Sequence, residues 1–290
     1  MRNSIEILCH ECPAATSSER QRFLNAKGGD LAKAKEQLAA YLDWRREHCL
    51  DDPFQDFMPL KTSLKDEDSW HSCVSDEETL DQVDWRYASQ AALLYEQRKS
   101  NHGSIKNSNH STILLPQLTR LLPKSFQTPR DQNNHRILHF LPAMMDLSKA
   151  SEGVFALSIA LYLERKLDRN SFEKITVAID CRGGTGWANP KPQALIPFLQ
   201  QVASVLEQNF PERLAKALLF PVPMAAFVLY KVVKRFLDPK TVEKVALIQG
   251  DSRNCGPIPY EAMQEYIDTT SLQQMEDFRV SKFIGETDIL

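Results

Sequence analysis

Residues 209–249 read NFPERLAKALLFPVPMAAFVLYKVVKRFLDPKTVEKVALIQ, and this stretch decides the fold. Two short apolar runs, 217–221 and 245–249, flank a segment at 224–237 in which most residues are apolar. The cations Lys231, Lys234 and Arg235 are spaced i, i+3 and i+4, so they share one narrow face of a helix. So wide an apolar arc is typical of a core helix. It is also typical of a helix that covers a lipid cavity and touches a membrane with its basic edge.

Two sets of motifs carry a family resemblance. The first is FPERL at 210–214 with KVVKRFLDPKTVEKV at 231–245, and the second is RFLNAKGGDLAKAKEQLAAYLDWRRE at 22–47. Together, and in this order, they resemble the CRAL-TRIO lipid-binding family, which includes phosphatidylinositol transfer proteins and retinaldehyde- and tocopherol-binding proteins. The resemblance implies an α/β fold, in which an N-terminal helical module precedes a mainly parallel sheet with helices enclosing an apolar lipid pocket.

The residue pattern after position 134 predicts the same fold class independently. Short apolar runs, which we predict as strands, lie at 136–141, 175–180, 217–221 and 244–249. Helical patterns alternate with them at 151–167, 195–208 and 224–237. Alternation of this kind is typical of βαβ units and a mainly parallel sheet.

The chain divides into four parts by composition. We predict a helical module at 1–50, an acidic and polar insertion at 51–133 with a helix near 85–98, a lipid-binding domain at 134–275, and a tail at 276–290. In the module, two helices are expected at 18–26 and 30–48, with Asp30 as the N-cap of the second. The acidic run at 51–84 is typical of a solvated face or loop; the alternative is a lid held against a basic surface.

The composition of the chain bears on its partners and its cellular location. The chain has 290 residues, a formal charge of −3 and 42% hydrophobic residues, which is ordinary for a globular protein and does not favour nucleic acid as a partner. The sequence shows neither the apolar region of a signal peptide nor a run of about 20 apolar residues. Six cysteines are scattered without a framework spacing. We therefore expect a cytoplasmic protein that lies peripherally at membranes.

The resemblance also implies ligand-binding residues. In family members that bind phosphatidylinositol, a glutamate of the PER motif and a lysine after the DPxT motif contribute to headgroup recognition; here these are Glu212 and Lys244. Each is also typical of a surface salt bridge. We add Arg22 of the N-terminal motif and three residues of the apolar helix to the candidate ligand contacts, and the three cations to a membrane-docking face. The added helix residues are Phe227, Tyr230 and Val233, and the docking cations are Lys231, Lys234 and Arg235.

The sequence departs from the family pattern at two places. In the N-terminal motif, Asn25 and Lys27 stand where arginines are usual, and Gly29 replaces an aromatic residue. Members that bind phosphatidylcholine carry hydroxyl side chains where this chain has Ile175 and Val177. Phosphatidylinositol or an apolar ligand is therefore favoured over phosphatidylcholine.

Other site motifs are incomplete. The turn DCRGGTG at 180–186 fits neither a dinucleotide loop nor a P-loop, so it is interpreted as a glycine-rich β–α turn. The CHEC sequence at 9–12 has no second cysteine pair nearby for zinc, and no serine lies in a GxSxG motif. We expect no catalytic group, no metal and no cofactor other than a bound phospholipid or similar ligand.

The sequence thus predicts a non-enzymatic carrier that binds and transfers or presents a lipid, most simply phosphatidylinositol, between membranes. One alternative is a lipid-responsive adaptor or regulator of a protein partner such as a small GTPase, reached through the acidic insertion. The other is an enzyme that uses the cavity for a small apolar substrate.

Overall fold

The chain folds into two compact units, each built from separate stretches of sequence. One unit comprises 1–114, 157–173 and 205–212; the other comprises 115–156, 174–204 and 213–290. They are described from a computed structural model, which covers residues 2–51, 77–100, 115, 118–122, 129–184, 192–222, 230–232, 234–251 and 256–283.

The first unit begins with a group of helices. Their bounds are α1 (Arg2–Glu11), α2 (Ser17–Ala26), α3 (Leu31–Glu47) and α4 (Glu77–Ser100). Helix α2 starts with a reciprocal capping box between Thr16 and Glu19. The side chain of Asp30 accepts a hydrogen bond from the backbone N–H of Lys33, so its predicted role as the N-cap of α3 is confirmed. Helix α1 was not predicted from the sequence, and α4 is longer than the helix predicted near 85–98.

Helices α1, α2 and α3 pack around one apolar core. Because apolar side chains recur at helical spacing on α2 and α3, each helix buries one stripe of its surface. The buried cluster contains Leu8, Cys12, Ala15, Phe23, Leu24, Ala34, Leu38 and Tyr41.

The second unit contains a five-stranded sheet. The strands are β1 (Thr119–Arg120), β2 (Arg136–Phe140), β3 (Ile175–Asp180), β4 (Leu214–Val222) and β5 (Val245–Gln249). They lie in the order β1-β2-β3-β4-β5. β1 is antiparallel to β2, whereas each of the other neighbouring pairs is parallel. The mainly parallel sheet predicted from strand–helix alternation is therefore confirmed.

Five further helices follow α4 in the described part of the chain. They are α5 (Glu152–Lys166), α6 (Pro192–Asn209), α7 (Pro239–Glu243), α8 (Tyr260–Met263) and α9 (Thr269–Phe283). α5 and α6 match the helices predicted at 151–167 and 195–208. The helix predicted at 224–237 falls largely outside the described residues. Of its described part, residues 230–232 are helical and Lys234–Phe236 form a 3-10 turn.

The core of the second unit lies between one face of the sheet and helices α8 and α9. It contains Ile137, Ala178, Leu218, Phe220 and Ile248 from the strands, and Met263, Leu272 and Met275 from the helices. Across both units, no described helix combines the length and the apolar character that a membrane crossing requires.

Candidate lipid-binding face

The sheet face opposite the α8–α9 core consists of aliphatic side chains that are only half-buried. Parallel strands place paired residues on the same face, so the register assembles cross-strand rows. Two such rows cross β3, β4 and β5: Val177, Ala217 and Val245 form one, and Ile179, Leu219 and Leu247 form the next. Each of these six residues retains intermediate exposure. We call this surface the aliphatic face.

The contrast with the other side of the same strands is sharp. Ala178, Leu218 and Phe220 alternate with residues of the aliphatic face, and each is fully buried in the core. The aliphatic face is equally apolar but is not buried to the same extent. At the β2 end, the rows continue to Leu138 and Phe140, where Phe140 stacks on Phe198 of α6 with ring centroids 5.7 Å apart. Helix α6 therefore covers that end, and the half-buried part lies over β3–β5.

The chemistry of this face suits an acyl chain. It offers apolar contact and no hydrogen-bonding side chain in either row, so a ligand group bound there must itself be apolar. Ile175 and Val177 also point to this side of β3. The hydroxyl of Thr176 points to the other side, where it donates to Oδ2 of Asp131 at 2.6 Å. The two positions at which a choline-binding site would carry hydroxyls are thus aliphatic in the structure as well.

Glu212 and Lys244, the predicted headgroup residues, each lie just before a strand. Glu212 precedes β4, is half-buried, and has a left-handed backbone with φ 61°. Lys244 is the C-cap of α7, and its carbonyl accepts a hydrogen bond from the backbone N–H of Ala217 at 3.0 Å. Glu212 belongs to the first unit and Lys244 to the second. Their role as a joint headgroup site stays a prediction.

Arg22 is buried and donates hydrogen bonds to the loop that follows α5. It is buried, with 5% exposure, and its Nη1 donates to the carbonyl oxygens of Arg169 at 3.1 Å and Ser171 at 2.6 Å. Thr16 and Ser18 donate to the carbonyl oxygens of Arg169 and Asn170 in the same loop. Helix α2 therefore holds the loop after α5 through three side chains. A role of Arg22 in ligand binding stays a prediction.

The remaining predicted residues fall around 230. Tyr230 is half-buried, and its hydroxyl donates to the carbonyl oxygen of Val242 at 3.4 Å. Phe227 and Val233 lie outside the described residues. The predicted docking cations Lys231, Lys234 and Arg235 are all exposed.

Sequence reasoning missed a buried ionic cluster at the carboxyl end of β3. Arg182 donates from Nε and Nη2 to Asp180 at 2.9 and 2.7 Å, and from Nη2 to Glu276 of α9 at 2.6 Å. Its Nη1 donates to the carbonyl oxygen of Gly256 at 3.0 Å. Asp180 and Arg182 are both fully buried. Burial by itself would raise the pKa of Asp180, but His139 and Arg182 beside it hold that pKa below its ordinary value. The sequence signal was a charged pair, Asp-x-Arg, directly after an apolar strand.

The glycines of the same turn serve the packing of α9. A Cβ placed on Gly184 would lie 2.4 Å from Cγ of Phe283, and the carbonyl of Gly183 accepts from Nη1 of Arg279 at 3.3 Å. Only glycine leaves room for the Phe283 ring at this distance. Gly184 is thus explained by the close packing of α9, whereas residues 185 and 186 of the predicted β–α turn lie outside the described residues.

Comparison with known proteins finds a matching family model and a similar solved structure. A family model described as "CRAL/TRIO domain" matches residues 123–275. No curated protein sequence matches the chain. Among solved structures, the chain is similar to the protein described in "Crystal structure of Sfh5", with 14% sequence identity and a TM-score of 0.47. The similarity covers 80% of this chain, which spans 64% of the length of that structure.

Proposed function

The chain belongs to the CRAL/TRIO family of lipid-binding domains, and we propose that it carries a phospholipid, phosphatidylinositol first among them, between membranes without catalysing a reaction. The acyl chain of the ligand lies on the aliphatic face. That face is the observation on which the proposal depends, because two rows of aliphatic side chains over β3–β5 are left half-buried by the rest of the fold.

The energetics of an acyl chain match this surface. Burial contributes about 0.8 kcal/mol per CH₂ group, so a 16-carbon chain contributes on the order of 10 kcal/mol. Affinity therefore needs no charged contact along the rows. Specificity must come from polar groups at one end, and Glu212 and Lys244 are proposed for that role because they match the family's headgroup motif. The aliphatic positions Ile175 and Val177 favour an inositol headgroup over choline.

Membrane contact is proposed through the exposed cations after β4. Lys231, Lys234 and Arg235 are exposed in the structure, as a docking face requires. A lysine or arginine near an anionic membrane surface contributes about 1 kcal/mol. Three of them can hold the protein at the surface while the lipid moves between bilayer and aliphatic face.

The acidic insertion has a structural role at its described ends. Asp51 accepts from Arg45 and from Arg169, each at 2.7 Å. At the other end, Lys166 lies 3.1 Å from Asp81 and 2.8 Å from Asp84. These carboxylates are engaged within the first unit, which favours an internal role for them over recruitment of a protein partner.

The decisive experiment places a charge on the aliphatic face. Leu219→Asp puts a carboxylate in the middle of the second row, where an acyl chain would have to desolvate it. We expect the lipid that co-purifies with the protein, measured by native mass spectrometry, to fall at least tenfold, and the headgroup of the wild-type ligand to be identified as inositol in the same spectra.

The matched control is Phe172→Asp, which also replaces an apolar residue by a carboxylate. Phe172 is 58% exposed and belongs to the first unit, so its variant should keep full lipid occupancy. Circular dichroism establishes that both variants are folded. A folded Leu219→Asp protein that retains wild-type lipid occupancy would show that the aliphatic face is not the lipid site.

A further inference from the structure

A second pocket lies on the other side of the sheet, between β1, β2 and α9. Its lining includes the polar side chains of Arg120, His139 and Gln274 and the apolar side chains of Ile137, Met275 and Phe278. Its volume is about 10 Å³, which is the space of one water-sized group. His139 shares a strand face with Ile137 of the core, so this pocket is separated from the aliphatic face by the sheet itself. We call it the β1–β2 pocket.

Two side chains of this pocket carry buried nitrogen atoms without hydrogen bonds. Arg120 and His139 are cross-strand partners in the antiparallel β1–β2 pair. Nε of Arg120 and both ring nitrogens of His139 are buried and have no hydrogen-bond partner within the described part of the chain. A buried polar group left in this state destabilises the fold, and a charged group does so more than a neutral one. Such groups at one pocket indicate a ligand that accepts hydrogen bonds.

The nearest carboxylate does not satisfy them. Oδ2 of Asp180 lies 3.5 Å from Nε2 of His139, too far for a good hydrogen bond. Asp180 is already bound through both of its oxygens by Arg182, as described above. Nε2 of His139 therefore faces a carboxylate that is already held in an ion pair, and Nδ1 has no hydrogen-bond partner among the described residues.

The local charge balance favours an anion. Asp180 and Glu276 are two carboxylates of this region, and both are engaged by arginines. Arg182 and Arg279 form ion pairs with Glu276, and Arg182 also pairs with Asp180. The guanidinium of Arg120 instead lies over the ring of Phe278, 4.9 Å from its centroid. In the described part of the chain, the guanidinium of Arg120 therefore lines the pocket without a carboxylate partner.

We propose that the β1–β2 pocket binds a small carboxylate. One carboxylate oxygen enters the pocket between Arg120 and His139, and the other pairs with the guanidinium edge that includes Nε. A guanidinium binds a planar carboxylate with two parallel hydrogen bonds, a geometry that a spherical anion cannot use. The room for a single water-sized group matches one oxygen atom of the carboxylate.

The test is a titration followed at His139. The histidine ring carbons of the full-length protein are labelled with ¹³C, and the protein is followed by NMR. The signal of His139 is assigned by its loss in His139→Gln. Sodium formate is then titrated against sodium chloride at equal ionic strength. We expect a saturable shift of the His139 signal with formate at roughly millimolar concentration, no saturable shift with chloride, and an apparent affinity at least tenfold lower in Arg120→Gln.

Lys282→Gln is the matched control, because Nζ of Lys282 also lies over the Phe278 ring, at 5.2 Å, but Lys282 does not line the pocket. It should bind formate like the wild type. Arg120→Lys keeps the positive charge but lacks the planar guanidinium. It is used in place of Arg120→Gln if that variant does not fold, and it should also bind formate more weakly than the wild type.

The proposal fails if the formate response does not saturate, if chloride reproduces it, or if the Arg120 variants and Lys282→Gln respond alike. It does not depend on the lipid-carrier function: Leu219→Asp should leave the formate titration unchanged even where it abolishes lipid binding.

Discussion

Glu19 shows how a single buried carboxylate holds several segments of the first unit together. It is fully buried and accepts hydrogen bonds from Nε and Nη2 of Arg169 at 2.7 and 3.0 Å, from the hydroxyl of Tyr41 at 2.7 Å and from the backbone of Thr16 at 2.7 Å. Burial by itself would raise the pKa of Glu19, but these hydrogen bonds, with that of Arg169 the largest, hold it below its ordinary value.

Glu19→Gln should therefore destabilise the protein in a pH-dependent way. The folded-state pKa is lowered, so the carboxylate stabilises the fold above the unfolded-state pKa of about 4.3 and loses that contribution as pH falls through the folded-state value. At pH 7 we expect the free energy of unfolding of Glu19→Gln to be about 3 kcal/mol lower than that of the wild type, as for a broken buried ion pair. Near pH 3 the difference between the two proteins should be much smaller. Urea unfolding of both proteins at several pH values measures this. A difference that is the same at pH 7 and pH 3 would contradict it.

At the scale of helices, two glycines offer substitutions with opposite expected signs. Gly28 ends α2 with φ 62°, and the hydrogen bonds from Gly28 to Asn25 and from Gly29 to Leu24 form a Schellman motif. Gly153 lies in the first turn of α5, where a Cβ would meet Oγ of Ser151 at an ordinary 3.8 Å.

Gly28→Ala should lower the free energy of unfolding by about 1 kcal/mol, because a Cβ there has no atom within 4 Å and only the left-handed backbone is penalised. Gly153→Ala should raise it by about 0.5–1 kcal/mol, because alanine is the better helix former. Denaturant midpoints compare the two. If both variants shift in the same direction, backbone conformation does not control these positions.

The helices and strands that were predicted well are those in which apolar residues recur with a clear period. β3 was predicted at its observed bounds, and α2, α3, α5 and α6 within a few residues. Helix α9 was missed, although Leu272, Met275 and Phe278 recur every three residues, because polar residues separate them and mean hydropathy is low. β1 has only two residues and exists through its pairing with β2, which no local pattern can show.

The site was predictable to a similar extent. The alternation of residues along the strands predicts which side chains form the aliphatic face. Their partial exposure could not be predicted, because it depends on which side of the sheet α8 and α9 cover, and this is a tertiary property. Arg22 illustrates the limit for single residues: its motif gives the residue type, whereas its contacts to Arg169 and Ser171 are set by chain segments almost 150 positions away. The same holds for the Arg182–Glu276 pair.

For the whole molecule, the proposed carrier cycle makes transfer depend on surface charge. Changing Lys231, Lys234 and Arg235 together to Glu should slow the transfer of labelled phosphatidylinositol between anionic vesicles at least tenfold, since each cation contributes about 1 kcal/mol at such a surface. On neutral vesicles the difference should disappear. Vesicle-to-vesicle fluorescence transfer measures both rates.

The control makes the same charge change elsewhere. Lys33, Lys35 and Arg46 of α3 are exposed cations that pair with Asp30, Glu11 and Asp43. Their reversal to Glu should leave transfer near the wild-type rate. Equal rates for the wild type and the variant at 231, 234 and 235, with lipid binding intact, would place membrane docking elsewhere on the protein.

The half-buried rows of the sheet also bear on how the protein behaves when it is empty. The six aliphatic side chains are partly exposed to water. When no acyl chain covers them, an apolar surface of another molecule can bind there instead. If the proposed function holds, copies without lipid can self-associate through this face, and their shelf life depends on concentration as well as on temperature. The same hazard gives a cell reason to fill each copy soon after synthesis.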